Sequence, residues 1–145
     1  LKDSTERVIV LEDLPELQIQ VEDHVKLRTT STKSMRDLVK GILRMRPDRI
    51  IIGEVRDGAA LELLKAWNTG HPGGVCTIHA NDAESTLSRL EDLVQEAVSV
   101  VPKRLIREAI DIIVFMKRDE HGHYQIDSIH RYDKQFDGQY RLIPA

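Results

Sequence analysis

The sequence has few of the residues that cross-link small secreted folds, and it lacks the long apolar runs that anchor proteins in membranes. It has a single cysteine, Cys76, which excludes an internal disulfide framework and a four-cysteine zinc site. No apolar run approaches the roughly 18 residues that a membrane-spanning helix needs. The opening residues, LKDSTERVIV, also lack the apolar region of a signal peptide. These absences predict a soluble, intracellular-type domain.

Aromatic side chains are scarce as well, and neither sign of charge is in large excess. Phe, Trp and Tyr make up 4% of the 145 residues, and 21 Lys and Arg stand against 24 Asp and Glu, a net charge of −3. This balance argues against intrinsic disorder and against a surface that is basic throughout. Because no repeat or Gly/Ser-rich linker interrupts the chain, we expect one domain.

Short apolar runs alternate with segments of helical period. Four runs have the continuous apolar character of buried strands: residues 8–11, 50–52, 75–78 and 112–116. Helices are predicted to begin after the N-caps Ser34, Asp57 and Asn81, and at Pro102. This alternation predicts an α/β fold with a parallel sheet covered on both faces. Turn residues at 120–122 and 137–138 predict an antiparallel hairpin or meander at the C-terminal end.

Polar residues follow three of the predicted strands directly. Glu12 and Asp13 come after the first, Glu54 and Arg56 after the second, and His79 after the third. Parallel strands end at one edge of a sheet, and open α/β sheets bind ligands at that edge. We therefore expect these acids, the cation and the imidazole to share one rim.

Each of these residues also has a plainer interpretation. A carboxylate such as Glu54 after an apolar strand suits an NTP hydrolase, which polarises a water beside Mg²⁺ and the γ-phosphate; the alternative is a solvent-facing acid paired with Arg56. Glu12 and Asp13 fit either a hydrated Mg²⁺ or an ordinary strand end. His79 fits either phosphate sensing or a structural hydrogen bond. The residues alone leave these alternatives open.

One stretch of the chain is locally basic. Residues 26–56 contain nine Lys and Arg against three Asp and Glu, and Arg36, Lys40 and Arg44 recur at every fourth position. Like charges at this helical spacing repel, so something must compensate them. The stretch fits a nucleic-acid or phosphate face, a solvated helix face, or a helix facing an acidic neighbour in an oligomer.

Three segments taken together resemble the secretion ATPase superfamily, the motors of type II and type IV secretion, type IV pili and conjugal transfer. LEDLPE at 11–16 is similar to the Asp box of that superfamily, MRPDRIIIGEVRD at 45–57 to its Walker B segment, and GHPGGVCTIHAN at 70–81 to its His box. The resemblance extends over residues 7–115 and is greatest to the conjugal-transfer ATPases of TrbB type.

The resemblance implies a RecA-like P-loop NTPase domain that uses ATP and Mg²⁺. It implies a homo-hexamer on the cytoplasmic face of a bacterial inner membrane, with other secretion-system components as partners and nucleic-acid contact as a possibility. Glu54 would be the catalytic base, Glu12 would support catalysis and bind Mg²⁺ through water, and His79 would sense the nucleotide. His71 would be the auxiliary His-box residue, in contact with nucleotide or phosphate, and Arg28, Arg46 and Arg56 would contact phosphate or a neighbouring subunit.

One element of the superfamily is not in the sequence. There is no G-x-x-x-x-G-K-[ST] loop, which cradles phosphates with backbone amides and a lysine. Because the resemblance places this loop before the Asp box, we expect residues 1–145 to be the C-terminal part of the ATPase domain and inactive alone. The alternative functions are a non-enzymatic RecA-like assembly or docking module, and a DNA-binding domain using residues 33–56.

Overall fold

A parallel sheet forms the centre of the molecule. The computed structural model describes residues 5–134 and 140–145. Strands β1 (Val8–Glu12), β2 (His24–Arg28), β3 (Arg49–Ile52) and β4 (Val75–Cys76) lie in the order β2-β1-β3-β4. Every neighbouring pair in this sheet is parallel. Their carboxyl ends therefore meet at one edge, as the sequence predicts.

Four helices cover one face of this sheet. They are α1 (Met35–Ile42), α2 (Ala59–Asn68), α3 (Ala83–Gln95) and α4 (Lys103–Ala109). Their buried side chains form one core with Ile9, Leu11, Ile50 and Ile52 of the sheet. Fully burying a side chain of this size contributes about 1.5–3 kcal/mol, so this core supplies most of the driving force for folding.

The sheet is covered on both faces, as the sequence predicts, but only one face is covered by helices in the described residues. On the opposite face, Val8, Val10 and Ile51 pack against Val21, Leu17 and Ile19. These three partners belong to the connection between β1 and β2, in which residues 13–23 form neither helix nor strand. Because an irregular segment already supplies the apolar cover, this face carries no helix in the described part of the chain.

The C-terminal part forms a separate antiparallel sheet of β5 (Ile112–Arg118), β6 (Tyr124–Tyr132) and β7 (Leu142–Pro144). The predicted α/β fold with an antiparallel tail is confirmed. The assignment of residues 112–116 to the doubly buried strands is wrong, because β5 buries Ile113 and leaves Val114 48% exposed. The turn predicted at 120–122 is present, with Gly122 at φ +83°. The one at 137–138 lies outside the described residues.

Helix starts follow the predicted chemistry with small shifts. Ser34 caps α1 and forms a capping box with Asp37, as its sequence indicates. The cap of α3 is Asp82, paired with Ser85, and not Asn81. Asp82 has the extended backbone of an N-cap, and its carboxylate accepts the Ser85 N–H at 2.6 Å. At α2 the cap is Gly58, and the predicted cap Asp57 accepts the N–H of Ala59 at 2.8 Å.

Strand β4 is shorter than predicted, two residues in place of four. Burial raises the pKa of its Cys76 thiol to about 12, so the thiol stays protonated and inert at neutral pH. The longest described helix, α3, has 13 residues. Among the described residues, no helix combines the length and apolar character needed to cross a bilayer.

Candidate active site

The carboxyl ends of the parallel strands carry one connected row of polar side chains, here called the rim row. It runs His79, Glu54, Arg56, Asp13, Thr29, and each member is in contact with the next. The row follows the spatial order of the strands from β4 through β3 and β1 to β2. All four strands thus contribute to one site.

Glu54 occupies the middle of the rim row. Its Oε1 lies 3.2 Å from His79 Nε2, and its Oε2 lies 3.5 Å from Arg56 Nε. The Glu54 side chain is 29% exposed, whereas that of His79 is 92% exposed. A carboxylate with this access to water can accept a proton from a water molecule, and the imidazole beside it is free to turn toward a ligand.

The backbone around Glu54 is fixed by the neighbouring strand end. The Val55 N–H donates to the Thr77 carbonyl at 3.0 Å, and the Thr77 hydroxyl donates to the Gly53 carbonyl at 2.6 Å. These bonds extend the contact between β3 and β4 beyond the last paired residues. They set the direction in which Glu54 leaves the sheet.

Asp13 joins the two halves of the rim row. Its Oδ1 accepts the Thr29 hydroxyl at 2.6 Å, and its Oδ2 accepts an N–H of Arg56. The hydrogen bond from Thr29, assisted by Arg56, holds the pKa of the Asp13 carboxyl below its usual value. The same ion pair raises the pKa of Arg56. Asp13 and Arg56 are therefore both charged at neutral pH.

Glu12 lies one residue before Asp13 but is buried, with 2% exposure. Its Oε1 accepts the backbone N–H groups of Glu16 at 2.9 Å and Leu17 at 2.7 Å. A buried carboxylate needs such donors. One of its oxygens is thus committed to shaping the loop that follows β1.

Glu54 and His79, which are in contact, line two different clefts. The first, of about 300 Å³, is lined by residues that include Asp13, Thr29, Lys33, Glu54 and Arg56. The second, of about 360 Å³, runs from His79 along α3 to Asp92. The first cleft combines carboxylates with cations, which suits a ligand that carries phosphate and metal charges together.

Comparison with known proteins identifies the family. The chain matches the family described as "Type II/IV secretion system protein" over residues 1–131. The chain belongs to this family. It is 53% identical over 125 residues to the conjugal transfer protein TrbB of Rhizobium radiobacter, covering 86% of this chain and 39% of the relative. It is 47% identical over 137 residues to a probable TrbB of Sinorhizobium fredii, covering 94% and 42%.

Solved structures of the secretion ATPases share the fold. The VirB11 ATPase of the Brucella suis type IV secretion system superposes with a TM-score of 0.80 at 28% identity, covering 87% of this chain and 40% of that one. The Legionella pneumophila ATPase DotB has the same fold, with a TM-score of 0.66 at 23% identity. The predicted family and fold are confirmed. The chain spans about two-fifths of the length of the relatives it matches.

The other residues singled out by the family resemblance lie on two different edges. Arg28 is exposed at the end of β2, opposite Glu12 in the strand register, and so lies at the rim. Arg46 and His71 precede β3 and β4, which places them at the amino-terminal edge. Arg46 ends a 3₁₀ turn at φ 53°, and His71 Nδ1 lies 3.1 Å from the Ala66 carbonyl at the end of α2. Their roles remain predictions.

The basic helix face of this secretion-family protein is partly compensated within the chain. Glu62 of α2 lies with its Oε1 3.2 Å from Arg36 Nη2 and 3.9 Å from Lys40 Nζ, and with its Oε2 3.7 Å from Lys65 Nζ. Arg49 pairs with Glu6 at 2.7 Å. Glu62 therefore offsets part of the positive charge that Arg36 and Lys40 place on α1.

Sequence reasoning missed Thr29, because it missed β2, the strand that Thr29 follows. The alternation of HVKLR at 24–28 was the available signal for β2. Within residues 5–134 and 140–145, no three His, Cys, Asp or Glu side chains are grouped closely enough to hold a metal ion by themselves.

Proposed function

We propose that this chain is the C-terminal part of the ATPase domain of a conjugal-transfer or type IV secretion motor, which uses ATP hydrolysis to power transfer. The observation that carries the proposal is the position of Glu54, held between His79 and Arg56 at the carboxyl edge of the sheet. The names of the relatives, conjugal transfer protein TrbB and type IV secretion system protein VirB11, support the biological setting.

The rim row suits phosphoryl transfer to water. Glu54 accepts the proton of the attacking water, and such general-base assistance is worth about 10²–10⁴-fold in rate. His79, which is exposed and lies 3.2 Å from Glu54, reports on the γ-phosphate by turning between carboxylate and phosphate. Arg56 adds positive charge at the site where charge is redistributed in the transition state.

The carboxylates present fit a Mg²⁺ that remains largely hydrated. Mg²⁺ in nucleotide sites usually takes one or two carboxylates, several waters and the substrate phosphates, so a cage of three protein ligands is not required. Glu12 already accepts two backbone N–H groups, which suits contact through water better than direct coordination. When bound, Mg²⁺ neutralises charge on the phosphates.

The assembly is proposed as a homo-hexamer on the cytoplasmic face of the bacterial inner membrane, in contact with other components of the secretion system. Arg28 at the rim, and Arg46 and His71 at the opposite edge, are the proposed contacts to neighbouring subunits or their nucleotides. Arg28 and Arg46 are exposed and His71 is half-buried, so each side chain is accessible to a neighbouring molecule. Nucleic-acid contact is left as a secondary role, because Glu62 and Glu6 pair with three of the nine cations in residues 26–56.

The second candidate function is a non-enzymatic assembly module. It would use the same fold for contacts between subunits or with other components of the machine. Phosphate release from Mg-ATP by the full-length protein that carries this segment decides between the two. Steady turnover that Glu54→Gln abolishes supports the ATPase. A full-length protein with neither ATP binding nor turnover supports the assembly module and overturns the proposal.

A further inference from the structure

Arg56 bridges two carboxylates that come from different strands. One end of its guanidinium donates to Asp13 Oδ2, while its Nε faces Glu54 Oε2 at 3.5 Å. A guanidinium is a planar fork that can engage a carboxylate with two parallel hydrogen bonds. Here the fork is divided between two acids, and only its Nε is directed at Glu54.

Asp13 is held independently of Arg56. Its other oxygen accepts the Thr29 hydroxyl at 2.6 Å, and the Thr29 N–H donates to the Glu12 carbonyl at 3.1 Å. Both bonds tie the end of β1 to the end of β2, next to the paired residues of the two strands. Thr29 and the strand pairing thus fix Asp13, and Asp13 in turn fixes the direction of Arg56.

We propose that Asp13 is a positioning residue for the hydrolytic reaction, acting on Glu54 through Arg56, with Thr29 as its support. The inference rests on the proposed function. Asp13 keeps the guanidinium from turning both of its prongs onto Glu54. The carboxylate of Glu54 therefore keeps one oxygen for His79 and for the attacking water, in place of being closed off by a two-pronged ion pair.

Other charged groups at this point do not take over the task. Asp57 lies next to Arg56 in the chain, but its Oδ1 accepts the Ala59 N–H at the start of α2. Lys33 lines the same cleft and carries the wrong charge to hold a guanidinium. Among the described residues, the carboxylates paired with Arg56 are those of Asp13 and Glu54.

The test is a double-mutant cycle in the full-length protein, with ATP turnover and thermal unfolding as readouts. Asp13→Asn is expected to lower kcat by about tenfold and change KM for ATP by less than about twofold, because it displaces the base without removing a ligand contact. In a protein that already carries Arg56→Gln, Asp13→Asn is expected to lower kcat by less than about a further twofold. Asp13 acts on Glu54 through Arg56, which that protein lacks. Asp13→Glu, which restores a carboxylate, should recover most of the lost kcat.

The control and the second variant separate positioning from folding. Asp23→Asn removes a carboxylate that is also in an ion pair with an arginine, Arg7 at 2.9 Å, but lies on the opposite edge, and it should leave kcat unchanged. If Asp13→Asn unfolds the protein, Thr29→Val decides, because it removes only the hydroxyl donor. Thr29→Val should lower kcat when Arg56 is present and should leave kcat unchanged in a protein that carries Arg56→Gln.

Three results would overturn the inference. They are a kcat for Asp13→Asn above half of the unsubstituted value, an equal loss with and without Arg56, and an Asp13→Glu variant as slow as Asp13→Asn. Where Thr29→Val is used, the inference is also overturned by an unchanged kcat, or by a loss of kcat that is equal with and without Arg56. An unsubstituted full-length protein with no turnover contradicts the proposed function itself, and the inference with it.

Discussion

His79 Nε2 lies 3.2 Å from Glu54 Oε1, so the imidazole that follows β4 touches the carboxylate that follows β3. The two side chains differ widely in solvent exposure: that of His79 is 92% exposed and that of Glu54 is 29% exposed. Neither belongs to the apolar core. Substitutions at these two positions therefore report on chemistry with little disturbance of folding.

Glu54→Gln keeps the shape of the side chain and removes its ability to take a proton. In the full-length protein we expect kcat to fall at least about 100-fold while ATP affinity changes less than about threefold. Turnover and nucleotide affinity are measured on the same preparation. The matched control is Glu22→Gln, an exposed acid before β2, which should have no effect. A Glu54→Gln enzyme that keeps more than about a tenth of the activity is incompatible with a general base.

His79→Ala removes the imidazole that lies 3.2 Å from the proposed base, Glu54. We expect turnover to fall by about tenfold, which corresponds to a loss of about 1.4 kcal/mol in the transition state. The melting temperature should not change, because the side chain is almost fully exposed. His121→Ala, at an exposed turn, is the control. Unchanged activity at unchanged stability, or a large loss of stability, would assign His79 a structural role only.

The 145-residue chain alone should bind Mg-ATP weakly and hydrolyse none of it. Phosphoryl transfer depends on positioning and charge stabilisation, and the sequence contains no P-loop to supply the phosphate cradle. Calorimetric titration with Mg-ATP and a phosphate-release assay check this, with the full-length protein as the positive control. Micromolar binding with steady turnover would show that the P-loop is dispensable.

Ser34→Ala should lower the free energy of unfolding by about 1 kcal/mol at neutral pH, because Ser34 caps α1. Hydrogen bonds from Ser34 hold the pKa of Asp37 below its ordinary value of 3.8. A carboxyl whose pKa is lower in the folded state than in the unfolded state stabilises the protein at pH values above its unfolded-state pKa. This stabilisation is lost as the pH falls through the folded-state pKa. The difference between the two proteins should therefore shrink in acid.

Urea denaturation at a series of pH values measures this difference. Ser88→Ala is the matched control, since Ser88 is an exposed serine inside α3 and alanine is the better helix former. It should not lower stability at any pH. A Ser34→Ala difference that is constant down to pH 2 would contradict the coupling between Ser34 and Asp37.

The parts of the fold that the sequence predicted are those with a strong local signal. The runs that form β1 and β3 are buried on both faces, and Ser34 with Asp37 is a local capping pair. Strand β2 was missed because an edge strand buries little, and its exposed and half-buried residues alternate without a continuous apolar run. Strand β5 was misplaced because apolar content alone does not reveal which strand is the partner.

The candidate site was predictable in its members and less so in its connections. Position after an apolar strand was enough to select Glu54, Glu12 and His79. That Glu12 is buried and serves the β1–β2 loop depends on where Glu16 and Leu17 lie, and that depends on tertiary packing. The bond between Asp13 and Thr29 spans sixteen positions of sequence. Such a pair becomes visible only when the strand order is known.

Strand β4 closes one side of the parallel sheet with only two paired residues, and Val75 at its start is 56% exposed. An edge strand of this kind offers free N–H and C=O groups to a further strand. A strand added there in parallel would end beside His79. The loop after that strand, whether from the same polypeptide or from another, would then face Glu54 across the rim. In a parallel addition the C-terminal end of the incoming segment would therefore meet Glu54, and in an antiparallel addition its N-terminal end would.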